Sequence, residues 1–158
     1  MAEIYERFFS VEVPELLERL SPESAPLWGI MGPQHMVEHV SGLFYISRNN
    51  LGIKCSTPED KLPRIKEFIW NDAPFPRSVR VQGIPRDSTL PLRFSSLDEA
   101  KAVLLKNIQA FFGFFAQNPD ASTMHPVFGP LNFEEWKRIH WKHTLHHLRQ
   151  FGLTGEDA

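Results

Sequence analysis

Hydrophobic side chains recur at the three- and four-residue spacing of an amphipathic helix along much of the chain. Alternation with a period of two residues, which would indicate strands, is scarce. The spacing predicts four main helices over 11–20, 33–48, 96–117 and 131–151, and a short helix over 64–71. We therefore expect an all-α fold, a four-helix bundle with a long crossover between its second and third main helices, in one domain covering residues 1–158.

Capping residues sharpen several of these helix boundaries. Asn132 and Glu135 stand three residues apart, the capping-box arrangement in which each side chain satisfies a backbone N–H at the start of a helix. Ser96 and Glu99 repeat this arrangement before the third main helix. Ser10 is the expected cap of the first. Gly152 directly follows the last predicted helix, and a glycine in this place favours the end of a helix.

The segment from 49 to 94 breaks the helical pattern with six prolines. Only its short helix is amphipathic, and the remainder is expected to be an extended connection that lies over the body of the protein. Long connections in small domains often contribute to binding sites. Four arginines in this connection could meet an anionic substrate, although solvated loop charges are the simpler interpretation: Arg77, Arg80, Arg86 and Arg93.

The last helix carries an unusual concentration of histidines. Four of the seven histidines of the chain fall within eight residues, at 140, 143, 146 and 147. At about 100° per residue, His140, His143 and His147 share one stripe with Trp136 and Gln150, and His146 lies at its edge. The pair His143 and His147 has the i, i+4 spacing that lets two imidazoles converge on one ion.

The second main helix supplies a candidate third ligand. His35 and His39 form another i, i+4 pair, and His39 lies on the apolar face of this helix. His35 is nearer the helix end and is the weaker candidate for a ligand. His125, in the turn segment before the last helix, could bond within its loop or reach the same pocket. Hydrogen-bonded core histidines without a metal remain the alternative.

Composition and charge narrow the classes of protein. The 158 residues are 42% hydrophobic and 23% charged, as in an ordinary globular protein, and the net charge is −2. Without a basic patch we expect no nucleic-acid partner. No apolar stretch has the length of a membrane span or a signal-peptide core, so we expect no membrane partner and a cytoplasmic location. The single Cys55 fits a reducing compartment.

The last helix also has a second apolar face, nearly opposite the histidines. It consists of Trp141, Leu145 and Leu148. A helix with two apolar faces is either enclosed within its own chain or packed against another subunit. Of these alternatives we favour a homodimer.

Two segments carry a family resemblance: MVEHV around His39, and KHTLHHLRQF around His143 and His147. Both resemble the DinB-like superfamily of metal-binding four-helix bundles, which includes the YfiT-like proteins. In these bundles one histidine of the second helix and a His-x-x-x-His pair of the last helix bind a metal ion. The resemblance therefore implies His39, His143 and His147 as ligands. The segments WGIM, HPVFG, FEEW and HHLRQFG resemble a subgroup without an assigned function.

The ligand set and the resemblance together suggest an enzyme. Three imidazoles suit a divalent metal ion, Zn or Ni foremost with Fe or Mn as alternatives, and leave a coordination position open for chemistry. The resemblance implies that the metal activates water or a low-molecular-weight thiol, for hydrolysis of a small-molecule substrate or transfer to it. The alternatives are a non-catalytic metal- or small-molecule-binding module of a stress response, and a metal-free interaction protein.

Further residues are expected around such a metal. The candidates for orienting ligands or shuttling protons are His140, His146 and Glu38. The candidates for lining the pocket are His35, His125, Trp136 and Gln150.

Overall fold

The computed structural model describes residues 2–49, 51–77 and 89–155, which are predominantly helical with one small antiparallel sheet. Helix α1 runs through three consecutive parts, Ala2–Arg7, Phe8–Glu12 and Val13–Glu18, of which the middle part has π geometry. The other elements are α2 (Pro33–Ser47), α3 (Leu62–Trp70, after a 3₁₀ turn at Glu59–Lys61), α4 (Leu97–Gln117), β1 (Thr123–His125), β2 (Gly129–Leu131) and α5 (Phe133–Gln150). None of the helices within the described ranges combines the length and the apolar character needed to cross a membrane.

The start of α1 differs from the prediction. The helix begins at Ala2 rather than at residue 11, and Ser10 lies inside its π-helical part instead of capping it. The Ser10 hydroxyl donates to the Glu6 carbonyl oxygen at 2.6 Å, the bond of a serine within a helix. Pro14 has no N–H and its ring crowds the carbonyl four residues earlier, which favours the wider turn that precedes it. The predicted cap is therefore wrong.

Both predicted capping arrangements exist at the predicted positions, one of them in part. At α5 the Asn132 side chain accepts from the Glu135 N–H at 3.0 Å, and the Glu135 carboxylate accepts from the Asn132 N–H at 2.9 Å. At α4 the Ser96 hydroxyl accepts from the Glu99 N–H at 3.1 Å. The Glu99 carboxylate, however, accepts from the backbone and hydroxyl of Ser95. The second capping box is therefore only half formed.

An aromatic core joins the helices. Helix α2 packs most extensively against α4 and also contacts α5. Phe44 of α2 is fully buried and meets Phe9 of α1 and Phe111 of α4, with ring centroids 5.4 and 5.6 Å apart in edge-to-face geometry. The core therefore holds α2 and α5 side by side, which sets the position of their histidines.

Helix α5 is enclosed by its own chain on its second apolar face. Leu145 and Leu148 are buried, and the Trp141 ring packs edge-on against Tyr5 of α1 at 5.8 Å. Of the two alternatives for this face, the structure shows the enclosed one. The predicted homodimer stays a prediction.

Lys142 attaches the short helix α3 to α5. Its ammonium donates to the carbonyl oxygens of Phe68 and Asn71 at 2.5 and 2.9 Å, at the C-terminal end of α3, where a cation is favoured. Burial lowers the pKa of Lys142, and the carboxylate of Asp72 opposes this shift. The residue is thus a cap supplied by another helix.

We expect Lys142→Met to lower the free energy of unfolding by about 1–2 kcal/mol, since it keeps the apolar stem and removes the charged cap. Chemical denaturation measures the loss, and amide hydrogen exchange locates it in α3. Lys106→Met on the exposed face of α4 is the control and is expected to be neutral. Equal stability of both variants would contradict the capping role.

Candidate metal centre

Three histidines from two helices lie together in the structure. His39 lies on α2, and His143 and His147 lie on α5. Each residue offers a ring nitrogen, and these nitrogens lie within 4.8 Å of one another. The Nε2 atoms of His39 and His143 are 2.9 Å apart. Within residues 2–49, 51–77 and 89–155, no fourth histidine, cysteine, aspartate or glutamate joins this group. We call these residues the histidine group.

Burial keeps the histidine group neutral at pH 7. It lowers the pKa of His39 to about 4, and that of His143 and His147 well below the ordinary value of 6.5. Repulsion within the group lowers the pKa values of His143 and His147 further, and repulsion from His146 lowers that of His39, because a second charge nearby is unfavourable. Each ring therefore keeps a lone pair that can bind a cation.

The donor set fits a divalent transition-metal ion. Neutral imidazoles are preferred ligands of such ions. A single proton can join the close nitrogens of His39 and His143, but it cannot join the third ring as well. One cation can contact all three rings, so the histidine group could hold a metal ion.

His147 is oriented by a neighbour on the same helix. Its Nδ1 lies 2.8 Å from the Oε1 atom of Gln150, whose amide nitrogen donates to the Trp28 carbonyl oxygen at 3.1 Å. Because that amide group uses its nitrogen on Trp28, its oxygen is the acceptor and His147 Nδ1 is the donor. The Nε2 atom of His147 is left with the lone pair.

His140 lies outside the histidine group, although it shares the stripe. Its ring is fully buried, stacks on Phe44 at 3.7 Å, and lies 3.0 Å through Nε2 from the Ser47 hydroxyl oxygen. That hydroxyl donates to the Phe44 carbonyl oxygen, so His140 Nε2 must be the donor. The Nδ1 atom of His140 has no hydrogen-bond partner among the described residues. His140 therefore packs α5 against the end of α2.

His146 lies at the outer edge of the histidine group, next to residues from two loops. Its ring centroid is 5.5 Å from Trp28 and 5.9 Å from Phe75, and the Arg77 guanidinium lies 4.2 Å from the Trp28 ring centroid. Phe75 also contacts His143 at 5.7 Å. We call Trp28, Phe75, Arg77 and His146 the mouth. It offers aromatic surface and one positive charge beside the histidines.

The mouth contains residues that no sequence pattern singled out. Trp28 and Phe75 stand in loops without periodicity, so no pattern indicated where their rings would lie. Arg77 was one of four loop arginines with equal claims. Arg80 and Arg86 lie outside the described residues, and Arg93 is exposed. Arg77 is exposed as well, and what distinguishes it is that its guanidinium lies over the Trp28 ring.

Glu38 and His35 face the chain that leads into α4, not the histidine group. The Glu38 carboxylate accepts from the Gln34 side chain at 2.9 Å and from the Arg93 N–H at 2.7 Å. The Nε2 atom of His35 lies 3.1 Å from the Thr89 hydroxyl oxygen. Both residues thus fasten the returning end of the long connection to α2.

His125 and Trp136 belong to the sheet and its junction with α5. The Nδ1 atom of His125 accepts from the backbone N–H groups of Val127 and Phe128, which closes the β1–β2 turn, and burial lowers its pKa to about 3. The Trp136 indole donates to the Thr123 hydroxyl at 2.7 Å. Of the two alternatives for His125, the structure shows the bond within its loop.

A separate cavity of about 740 Å³ lies between α1 and α4. Its lining is mostly apolar and includes Phe9, Ile108, Phe112 and Phe115, with Glu6 and Gln109 among its polar residues. It shares no residue with the histidine group or the mouth. This cavity is therefore separate from the candidate metal centre.

These observations define a predominantly helical protein with a largely buried group of three histidines that could hold a metal ion. Residues 76–154, half of the chain, match the family described as Protein of unknown function (DUF1569). The chain belongs to this family. No curated protein and no solved structure gives a significant match. The matched half contains His143 and His147, whereas His39 on α2 lies before it.

Proposed function

We propose that the protein is a metal-dependent enzyme with a DinB-like four-helix bundle, in which α1, α2, α4 and α5 form the bundle and α3 lies in the crossover. His39, His143 and His147 are the proposed ligands. The observation that carries this proposal is the convergence of three neutral imidazoles from two helices beside the aromatic rings and the guanidinium of the mouth. Three protein ligands are typical of catalytic rather than structural sites.

A divalent ion held there would supply a positive charge that activates water or a thiol for attack on a small electrophile. The residues of the chain have separate roles in this proposal. The histidine group binds the ion, Trp28 and Phe75 exclude bulk water, and Arg77 orients an anionic group of the substrate. The substrate is therefore expected to be small and to carry a negative charge.

His146 is the proposed proton carrier of the mouth. Burial lowers its pKa, a hydrogen bond with the Phe75 backbone opposes that shift, and the charges of Arg149 and Arg77 lower it further. The ring is therefore neutral at pH 7 and able to accept a proton. Of the candidates for this role, His140 and Glu38 are occupied elsewhere by Ser47 and by Arg93.

The proposal is tested on untagged protein by elemental analysis, before and after treatment with a chelator. We expect one Zn or Ni ion per chain, its removal by the chelator, and its return on incubation with the ion, with Fe and Mn as further candidates. The reloaded protein is then screened for hydrolysis of small anionic esters and amides and for transfer of low-molecular-weight thiols.

Each outcome has a distinct meaning. Metal with metal-dependent turnover supports the enzyme. Stoichiometric metal without turnover in either screen would leave a non-catalytic binding module and overturn the enzymatic part. Protein that takes up none of these ions would overturn the metal site itself.

A further inference from the structure

Gln150 connects a proposed metal ligand to a loop of the mouth. It is the last residue of α5 and is only 5% exposed. One end of its amide accepts from His147 Nδ1 at 2.8 Å, and the other end donates to the Trp28 carbonyl oxygen at 3.1 Å. The side chain therefore spans the space between the histidine group and the mouth.

The loop is built to fit this amide. The Leu27 N–H donates to the backbone oxygen of Gln150 at 2.7 Å. Gly29 has a φ of +78°, and a Cβ atom there would lie 3.0 Å from the Gln150 amide nitrogen. A side chain at position 29 would thus strain the backbone and push the amide away from Trp28. Leu27 therefore anchors the loop to the backbone of Gln150, and Trp28 and Gly29 lie against its amide.

We propose that Gln150 is a positioning residue for the metal site. By accepting from Nδ1 it holds His147 in the tautomer whose Nε2 lone pair is free, and it keeps the ring turned toward His39 and His143. By donating to Trp28 it ties this orientation to the mouth. The inference rests on the proposed function only in taking His147 to be the ligand of a metal ion. The tautomer is a property of the metal-free chain.

Two substitutions at Gln150 test the two hydrogen bonds of its amide separately. Gln150→Leu removes both hydrogen bonds, whereas Gln150→Glu keeps an acceptor for His147 Nδ1 and loses the donor to Trp28. We expect Gln150→Leu to weaken Zn binding about 10–100-fold, as is usual when the partner of a ligating histidine is removed. Gln150→Glu is expected to bind Zn at least as tightly as wild type, because a carboxylate raises the basicity of the histidine.

Competition with a chromophoric chelator measures these affinities, and Gln117→Leu is the matched control. Gln117 is also the last residue of its helix, α4, but it is exposed. A purely structural role would make both Gln150 variants equally weak, since both lose the bond to Trp28. Equal weakness would therefore overturn the proposal, as would wild-type affinity in Gln150→Leu.

A second measurement does not depend on metal. Long-range ¹H–¹⁵N spectra of the metal-free protein report which nitrogen of His147 carries the proton. We expect Nδ1–H in wild type and in Gln150→Glu, and a mixture of tautomers in Gln150→Leu. An Nε2–H tautomer in wild type would refute the positioning role even if metal binds. Failure of wild type to bind metal, with the expected tautomer, would refute the proposed function instead.

Discussion

Replacing His143 by alanine is expected to abolish stoichiometric metal binding while the protein remains folded. Structural zinc sites with four ligands bind with roughly 10–16 kcal/mol, so one ligand is worth about 3–4 kcal/mol, or a factor of roughly 10²–10³ in affinity. The ring of His143 lies 4.8 Å from that of His39 and 4.7 Å from that of His147, so its loss leaves only two imidazoles for the ion.

Metal-free His143→Ala is expected to stay folded and to lose about 1–2 kcal/mol of unfolding free energy. The ring is 9% exposed and borders the mouth, and its Nδ1 has no hydrogen-bond partner among the described residues. Its removal deletes this unsatisfied atom, but it also takes the 2.9 Å partner of His39 Nε2 and some packing. Metal affinity is measured by chelator competition and stability by denaturation of the metal-free protein.

His140→Ala is the matched control, one turn earlier on the same face of α5. This ring is fully buried, stacks on Phe44 and donates to Ser47. Its loss leaves a cavity and removes the donor to the Ser47 hydroxyl oxygen, which keeps its own bond to Phe44, at a cost of roughly 2–4 kcal/mol in unfolding free energy. We expect this variant to retain metal. If His140→Ala released the metal and His143→Ala kept it, the assignment of ligands would be wrong.

Acidification of the metal-free protein is expected to destabilise it steeply between pH 6.5 and pH 4. The pKa of His39 is lowered to about 4 and that of His125 to about 3, both by burial, whereas an unfolded histidine titrates near 6.5. Below pH 6.5 the unfolded chain binds more protons than the folded chain. Stability is therefore intact above that pH and falls until the folded pKa of each histidine is reached.

The expected slope is large because several histidines contribute. Each one that stays neutral in the folded state removes about 1.4 kcal/mol of unfolding free energy per pH unit below 6.5. The pKa values of His140, His143 and His147 are also lowered well below 6.5 by burial. Denaturation at a series of pH values measures the slope, and stability that is flat from pH 7 to pH 5 would contradict it.

His125→Asn provides the control for this slope. An asparagine oxygen can replace Nδ1 as acceptor for the turn N–H groups of Val127 and Phe128 without taking up a proton. The slope of this variant should decrease by about 1.4 kcal/mol per pH unit, the share of one histidine. An unchanged slope would mean that His125 does not contribute.

Local signals located most of the helices. The bounds of α4 and α5 agree with the prediction to within a residue or two, because caps and stops act within one helical turn. The short helix α3 was expected over 64–71 and spans Leu62–Trp70, with Ile69 buried. The first helix was misplaced because its early part, with Glu3, Glu6 and exposed Ile4, shows only a weak apolar stripe.

By itself the sequence determined that four histidines fall on one helix, that His143 and His147 share a face of it, and that His39 lies on the apolar face of another helix. Spacing along a helix fixes such relations, because the rise and turn per residue do not depend on the rest of the chain. Spacing could not show which of the remaining histidines would lie close to this group. In the structure His140 is hydrogen-bonded to Ser47, His125 to the backbone of its own β1–β2 turn, and His35 to Thr89.

Only the tertiary structure decided what surrounds the histidine group. Trp28, Phe75 and Arg77 come from loops whose paths depend on long-range packing, and no periodicity constrains them. The enclosure of Trp141 by α1 and the bond from Gln150 to Trp28 likewise join residues more than a hundred positions apart. The helices follow from interactions within a few residues, whereas the walls of the candidate site follow from contacts that exist only once the chain has folded.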